Sequence, residues 1–169
     1  LEKHRTIGID PGSRATGYGI VEGDGRRLHY VDSGVVSLSG QLPLWERLGV
    51  IYTRLSAIIQ EHRPSCMAVE DVFLAKNVKS ALKLGQARGA AILAGVNSGL
   101  EIHEYSALEV KQAVVGYGRA AKEQVEDMVR FFFGLRGRLN PNASDALAVA
   151  LCHLNTGASV ARWGASSRT

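Results

Sequence analysis

Two short apolar runs in this chain each end on a carboxylate, and that repetition restricts the fold more than any other feature. RTIGID ends at Asp10, and CMAVE ends at Glu70. An ionised carboxylate at the tip of a buried strand is costly unless a positive charge offsets it. Alone, Asp10 could cap the turn through Gly12 and Ser13. Two acids at matching ends of parallel neighbouring strands would stand side by side and raise each other's pKa. A divalent cation between them removes that penalty.

The rest of the chain supplies a frame for such strands. ATGYGIVEG and RRLHYVDSGVVSL are joined through Asp24-Gly25, a hairpin signal, so three antiparallel strands open the domain. Leu48, Ile51, Leu55, Ile58 and Ile59 fall at helical spacing within residues 44–62, and Arg63-Pro64 stops that helix. The Cys66–Val69 run follows as a central parallel strand. A long Ala- and Gly-rich helix is expected over residues 78–97, then the strand GLEIHEYS. Helices are expected at about 106–115, 120–133 and 142–155. Periodicity alone therefore gives a mixed α/β sheet with helices on both faces. With 169 residues, 46% of them hydrophobic, residues 1–155 are expected to form one domain and the Gly/Ser/Ala-rich 156–169 a flexible tail.

Composition excludes more than it proves. A net charge of +4 suits a nucleic-acid partner but also many unrelated enzymes. The longest apolar runs, Ala90–Val96 and Ala146–Cys152, are too short to span a bilayer, so a cytoplasmic protein is expected. Cys66 and Cys152 form neither a disulfide framework nor a zinc-ligand pattern. His4, His29, His62 and His103 are scattered without ligand spacing, and His153 reads as structural. Gly116-Tyr117-Gly118 with Ala121 mimics a dinucleotide loop but follows a helix end, and no phosphate-binding P-loop is present.

A third acid, Asp145, lies near the start of the apolar helix NPNASDALAVALCHL. Here two readings stand open. Asn142 could be the N-cap with Asp145 at N3, or both could face one ion, since residues i and i+3 share a helix face.

GIDPGSRATGYG, AVEDVFLAKN, SALKLGQARGAA, EYSALEVKQAVVGYG, AAKEQVEDMV and NASDALAVALCH together resemble the RuvC Holliday junction resolvase family, in order from about Ile7 to His153. The run SALKLGQARGAA followed by VKQAVVG is the most specific part. The resemblance implies a ribonuclease-H-like fold: a mixed five-stranded sheet, three antiparallel strands then parallel additions, flanked by helices. It also implies a structure-selective endonuclease of recombination and repair that nicks two opposing strands of four-way junction DNA. Further implications are a homodimer, association with the RuvA–RuvB branch-migration complex, and two Mg²⁺ ions per site, replaceable by Mn²⁺. Asp10, Glu70 and Asp145 match three of the family's metal-site positions. The fourth, occupied in the family by Asp or in some members His, is Asn142 here. The loss of one charge implies a weakened or inactive enzyme, and a disabling substitution explains it better than natural variation.

DNA contacts are expected around this site. Lys76, Lys79 and Lys83 recur at i, i+3 and i+7 directly after the Glu70 strand, with Arg88 extending the stripe. By resemblance, Lys111 and Lys122 lie near the cleaved strand and Phe73 stacks into the opened junction centre. Gly85 and Gly89 permit close helix packing, against the sheet or a partner subunit. Two other readings compete. Sugar-kinase-like ATPases share a GID-x-G loop but need two such domains, and a junction-binding module would lack catalysis altogether.

Overall fold

The computed structural model describes residues 4–23, 27–71 and 77–166, the last ten of these as backbone only. Strands β1 (His4–Asp10), β2 (Ala15–Gly23) and β3 (Leu28–Ser37) are followed by helix α1 (Leu44–His62) and strand β4 (Cys66–Asp71). Then come α2 (Val78–Asn97), β5 (Glu101–Ser106), α3 (Ala107–Val115), α4 (Lys122–Phe133) and α5 (Pro141–Ser166). The five strands form one sheet in the order β3-β2-β1-β4-β5. β1 pairs antiparallel with β2, and β2 with β3. β4 is parallel to both β1 and β5. This is the mixed five-stranded architecture expected, with β1 at its centre. Asp24 and Gly25 lie outside the described residues, but Gly23 pairs with Leu28 across that connection.

Strand alternation splits the core in two. Ile7, Ile9, Met67 and Val69 point to one face, where Ile51, Leu55 and Ile59 of α1 and Ala87, Ala91 and Ala94 of α2 cover them. The opposite face carries Ala68 and is covered by α3, α4 and α5 through Val110, Val114, Val125, Val129, Leu147 and Leu151. On this second face Gly8 and Gly17 bring α5 unusually near. A Cβ on Gly8 would collide with the Ala146 carbonyl, and one on Gly17 with the Asn142 carbonyl. The helix therefore rests directly on the strand backbones.

The helix ends follow local chemistry. Arg63, in the left-handed conformation before Pro64, closes α1. Gly116 has φ 96° and closes α3, which accounts for the dinucleotide-like glycine without a nucleotide. α5 runs on to Ser166, past the expected end at residue 155. Ala158, Ala161 and Ala165 favour helix there, and lone glycines cost only about 1 kcal/mol each. Among the described residues, no helix is long and apolar enough to cross a membrane.

Candidate active site

Asp10 is the last residue of β1, paired with Gly17. Glu70 lies one step beyond the Ile9–Val69 pair of β1 and β4. Because Gly8 and Ala68 face α5, alternation turns Asp10 and Glu70 toward α5 as well. The third acid descends from the helix. Asn140, not Asn142, caps α5: its Oδ1 accepts from the Asn142 N–H at 3.0 Å, and its carbonyl accepts from the Ser144 N–H at 2.9 Å. Pro141 at the first helical position explains the choice, since its missing N–H is one the helix leaves unpaired anyway. The capping alternative for Asn142 and Asp145 is thereby corrected. Asn142 sits inside the first turn, half-buried, and Asp145 lies one turn further on the same face.

The electrostatics show three carboxylates held in a shared field. Burial, followed by the charges of Asp145 and Glu70, pushes the Asp10 carboxyl up to about 7 against the opposing pull of Lys122. Glu70 is also raised, by burial and then by Asp145, while Lys122 and Lys111 pull it down. Lys122 Nζ stands 2.6 Å from Asp145 Oδ2, and that hydrogen bond holds the ammonium above its usual range. A lysine at a helix N-terminus opposes the helix dipole. Its position at the start of α4 is accounted for by the acids it faces.

The donor set is oxygen throughout, which suits hard divalent ions such as Mg²⁺ or Mn²⁺ rather than softer metals. The set of three acid, Cys or His ligand atoms that closes to within 4.8 Å among the described residues is Cys66, His103 and His153, not these acids.

The other expected contacts fall in different places. Lys79 and Lys83 lie on the first turns of α2, where Asn77 caps the helix by accepting from the Lys79 N–H at 2.8 Å. Lys111 is half-buried on α3 and acts on Glu70 through its charge. Arg88 turns inward instead of extending an outer stripe. Its Nε donates to the Glu70 carbonyl at 3.1 Å and its guanidinium lies 2.8 Å from Glu104, which braces the ends of β4 and β5. Phe73 and Lys76 lie outside the described residues. Sequence spacing missed the meeting of Cys66, His103 and His153. The usable signal was strand parity, since Cys66 and His103 share the face of Glu70 once β4 and β5 are in register.

Comparison with known proteins places the chain in a family. A family model described as "Crossover junction endodeoxyribonuclease RuvC" matches residues 6–153. A protein of that name from Geobacter sulfurreducens is 58% identical over 152 residues, covering 90% of this chain and 93% of its own. The one from Marinobacter nauticus is 54% identical over 156 residues, covering 92% and 89%. Among solved structures, Thermus thermophilus RuvC in complex with a Holliday junction substrate superposes with a TM-score of 0.88 at 36% identity, covering 93% of this chain and 96% of that one. The yeast mitochondrial Holliday junction resolvase Ydc2, at 11% identity and a TM-score of 0.68, shares the fold, with 95% and 81% covered. The chain belongs to the RuvC family of crossover junction endodeoxyribonucleases.

Proposed function

We propose that this chain resolves Holliday junctions by metal-dependent nicking of two opposing strands, and that Asp10, Glu70 and Asp145 are its catalytic core. The observation that carries this reading is the convergence of three acids from β1, β4 and α5 beside Lys122. Burial raises Asp10 and Glu70, repulsion from Asp145 adds to it, and a divalent cation would offset both penalties. Two Mg²⁺ ions, or Mn²⁺ in their place, would supply activation of water and stabilisation of the departing 3′-oxygen. The chain's own part is to fix the donors: β1 and β4 set Asp10 and Glu70 in register, and the backbone seat of α5 sets Asp145 above them. Lys122 neutralises Asp145 and offers a cation at the rim for a DNA phosphate. Lys79, Lys83, Lys111 and the undescribed Lys76 would follow the DNA backbone, while Arg88 holds Glu70 in place from behind. Phe73 is proposed to stack at the junction centre.

Asn142 contributes at most a neutral carbonyl oxygen where the family has a charged or imidazole ligand. The chain is therefore proposed to cleave slowly while still binding junctions.

A homodimer, which would present two equivalent sites to a two-fold symmetric substrate, is supported by α2. Leu82, Leu93 and Val96 are exposed on that helix, and among the described residues nothing lies within 4 Å of a Cβ built on Gly85 or Gly89. Those glycines thus leave room for a partner and do not serve packing on the sheet. Association with the RuvA–RuvB complex and a cytoplasmic location are proposed on family grounds.

The deciding experiment is cleavage of a labelled four-way junction in Mg²⁺ or Mn²⁺, beside Asp10→Asn. Metal-dependent symmetric nicks that vanish in Asp10→Asn are expected. Equal cleavage by both proteins, or equal affinity for junction and linear duplex over a salt titration, would overturn the proposal.

A further inference from the structure

At the far end of the face covered by α5, a second set of metal-ligating side chains converges. Cys66 lies four residues before Glu70 on β4, and His153 lies eight after Asp145 on α5. We propose that Cys66, His103 and His153 form a separate binding site for a borderline or soft divalent ion, best matched by Zn²⁺.

One ligand atom from each residue lies within 4.8 Å of the others. Cys66 Sγ and His153 Nε2 are 3.3 Å apart. Two such ligands on one tetrahedral zinc ion stand about 3.5 Å apart, given Zn–S near 2.3 Å and Zn–N near 2.0 Å. The Cys66–His153 pair therefore already stands at ligand spacing, and His103 closes on it from within 4.8 Å. The two imidazoles lie side by side, tilted, with centroids 4.3 Å apart.

The supports behind these ligands are also in place. A ligating histidine usually gives its other nitrogen to a fixed oxygen, which sets the tautomer. His153 Nδ1 is 2.8 Å from the Tyr105 hydroxyl, leaving Nε2 for the ion. His103 Nε2 is 3.4 Å from Glu101 Oε1, leaving Nδ1. Glu101 is the cross-strand neighbour of Cys66, is mostly exposed, and marks the way in from solvent. Burial keeps the Cys66 thiol protonated without metal and His153 neutral, with its pKa lowered to about 4. Binding forms the sulfur–metal bond, releases the thiol proton to solvent, and makes the Tyr105 oxygen an acceptor for His153 Nδ1–H.

The two ends of the face thus sort ions by donor type: carboxylate oxygens select Mg²⁺ or Mn²⁺, thiolate and imidazole select Zn²⁺. An ion at the second site staples β4 and β5 to α5, the same strand and helix that carry Glu70 and Asp145.

The test is a Co²⁺ titration of the full chain in saturating Mg²⁺, followed through the thiolate-to-cobalt charge-transfer band and then displaced with Zn²⁺. One equivalent per chain is expected. The band should be retained in Cys152→Ser and Asp10→Asn and abolished in Cys66→Ser. His103→Ala should weaken affinity at least tenfold. If Cys66→Ser fails to fold, His103→Ala decides, because that ring is partly exposed and its loss leaves the core intact. Absence of the band in the wild type, or its persistence undiminished in both Cys66→Ser and His103→Ala, would overturn the proposal and leave only a hydrogen-bonded cluster.

Discussion

The two ends of the face beneath α5 hold polar groups in opposite states. At the carboxyl ends of β1 and β4, three acids stand in one field beside Lys122, and Asp145 pushes up both Asp10 and Glu70. At the amino end of β4, the polar atoms satisfy one another: Tyr105 with His153 at 2.8 Å, His153 with Cys66 at 3.3 Å, and Cys66 with Thr6 at 3.3 Å. The first arrangement holds buried, repelling charges, whereas the second is stable alone. The contrast shows how one sheet can carry a destabilised site because its other end is well satisfied.

The hardest way to break this contrast is Asp10→Asn. Junction cleavage in Mg²⁺ should fall about a thousandfold or more, roughly 4 kcal/mol of transition-state stabilisation. The metal-free variant should nevertheless melt higher than the wild type at pH 8, since a repelled charge has gone. A lower melting temperature would mean that the acids are not in conflict.

The ends should also answer pH with opposite signs. Asp10 rises from 3.8 to about 7 on folding, so the native state holds more protons between those values, and metal-free stability falls as pH climbs through that range. Glu70 acts in the same sense. His153 drops from 6.5 to about 4, so the unfolded chain takes up the proton first, and stability falls as pH decreases through that window. Each contribution is on the order of a few kcal/mol at most. Melting curves from pH 4 to 8 should show the histidine trend unmasked in Asp10→Asn and the acid trend unmasked in His153→Gln. Parallel profiles in the two variants would contradict the assignment.

Asn142→Asp sharpens the acidic end. A fourth anionic ligand should raise single-turnover cleavage at saturating Mn²⁺ at least tenfold, about 1.4 kcal/mol. Because Asn140 is the helix cap, the change should not alter stability through capping. Equal rates would show that three carboxylates suffice.

The smallest effect is expected from Tyr105→Phe. It removes one hydrogen bond from the satisfied end and should cost about 1 kcal/mol in denaturant unfolding. Cleavage should change less than twofold. A larger loss of activity would show that the two ends are coupled through β5.

What was readable in the sequence followed from position along one element. Asp10 and Glu70 were visible because a charge at the end of an apolar strand is anomalous without any tertiary knowledge. The bounds of α1 followed from apolar spacing and from Pro64, and α2 from its Ala-rich run. The cap of α5 stayed open because Asn140 and Asn142 flank Pro141, and residue preference alone cannot rank two asparagines. Proline's preference for the first helical turn does rank them. Lys122 came from family resemblance alone, since the charge it answers lies on another helix. Arg88 looked like one more basic residue of a stripe, and only the β4–β5 register reveals the oxygens it reaches. Cys66, His103 and His153 are separated by 37 and 50 residues, so no local pattern could join them.

The seating of α5 on Gly8 and Gly17 has a consequence for how the spacing of the three acids is gauged. Most sites inherit their dimensions from side chains wedged between elements, and such spacers swell, shrink or flip as a core is repacked. Here the gauge is the thickness of a peptide unit, which mutation of core side chains leaves unchanged. Drift of the hydrophobic residues elsewhere under α5 can alter stability without opening the gap between Asp10 and Asp145. A single methyl at Gly17 would act as a shim under the helix's first turn, lifting Asn142 and Asp145 together.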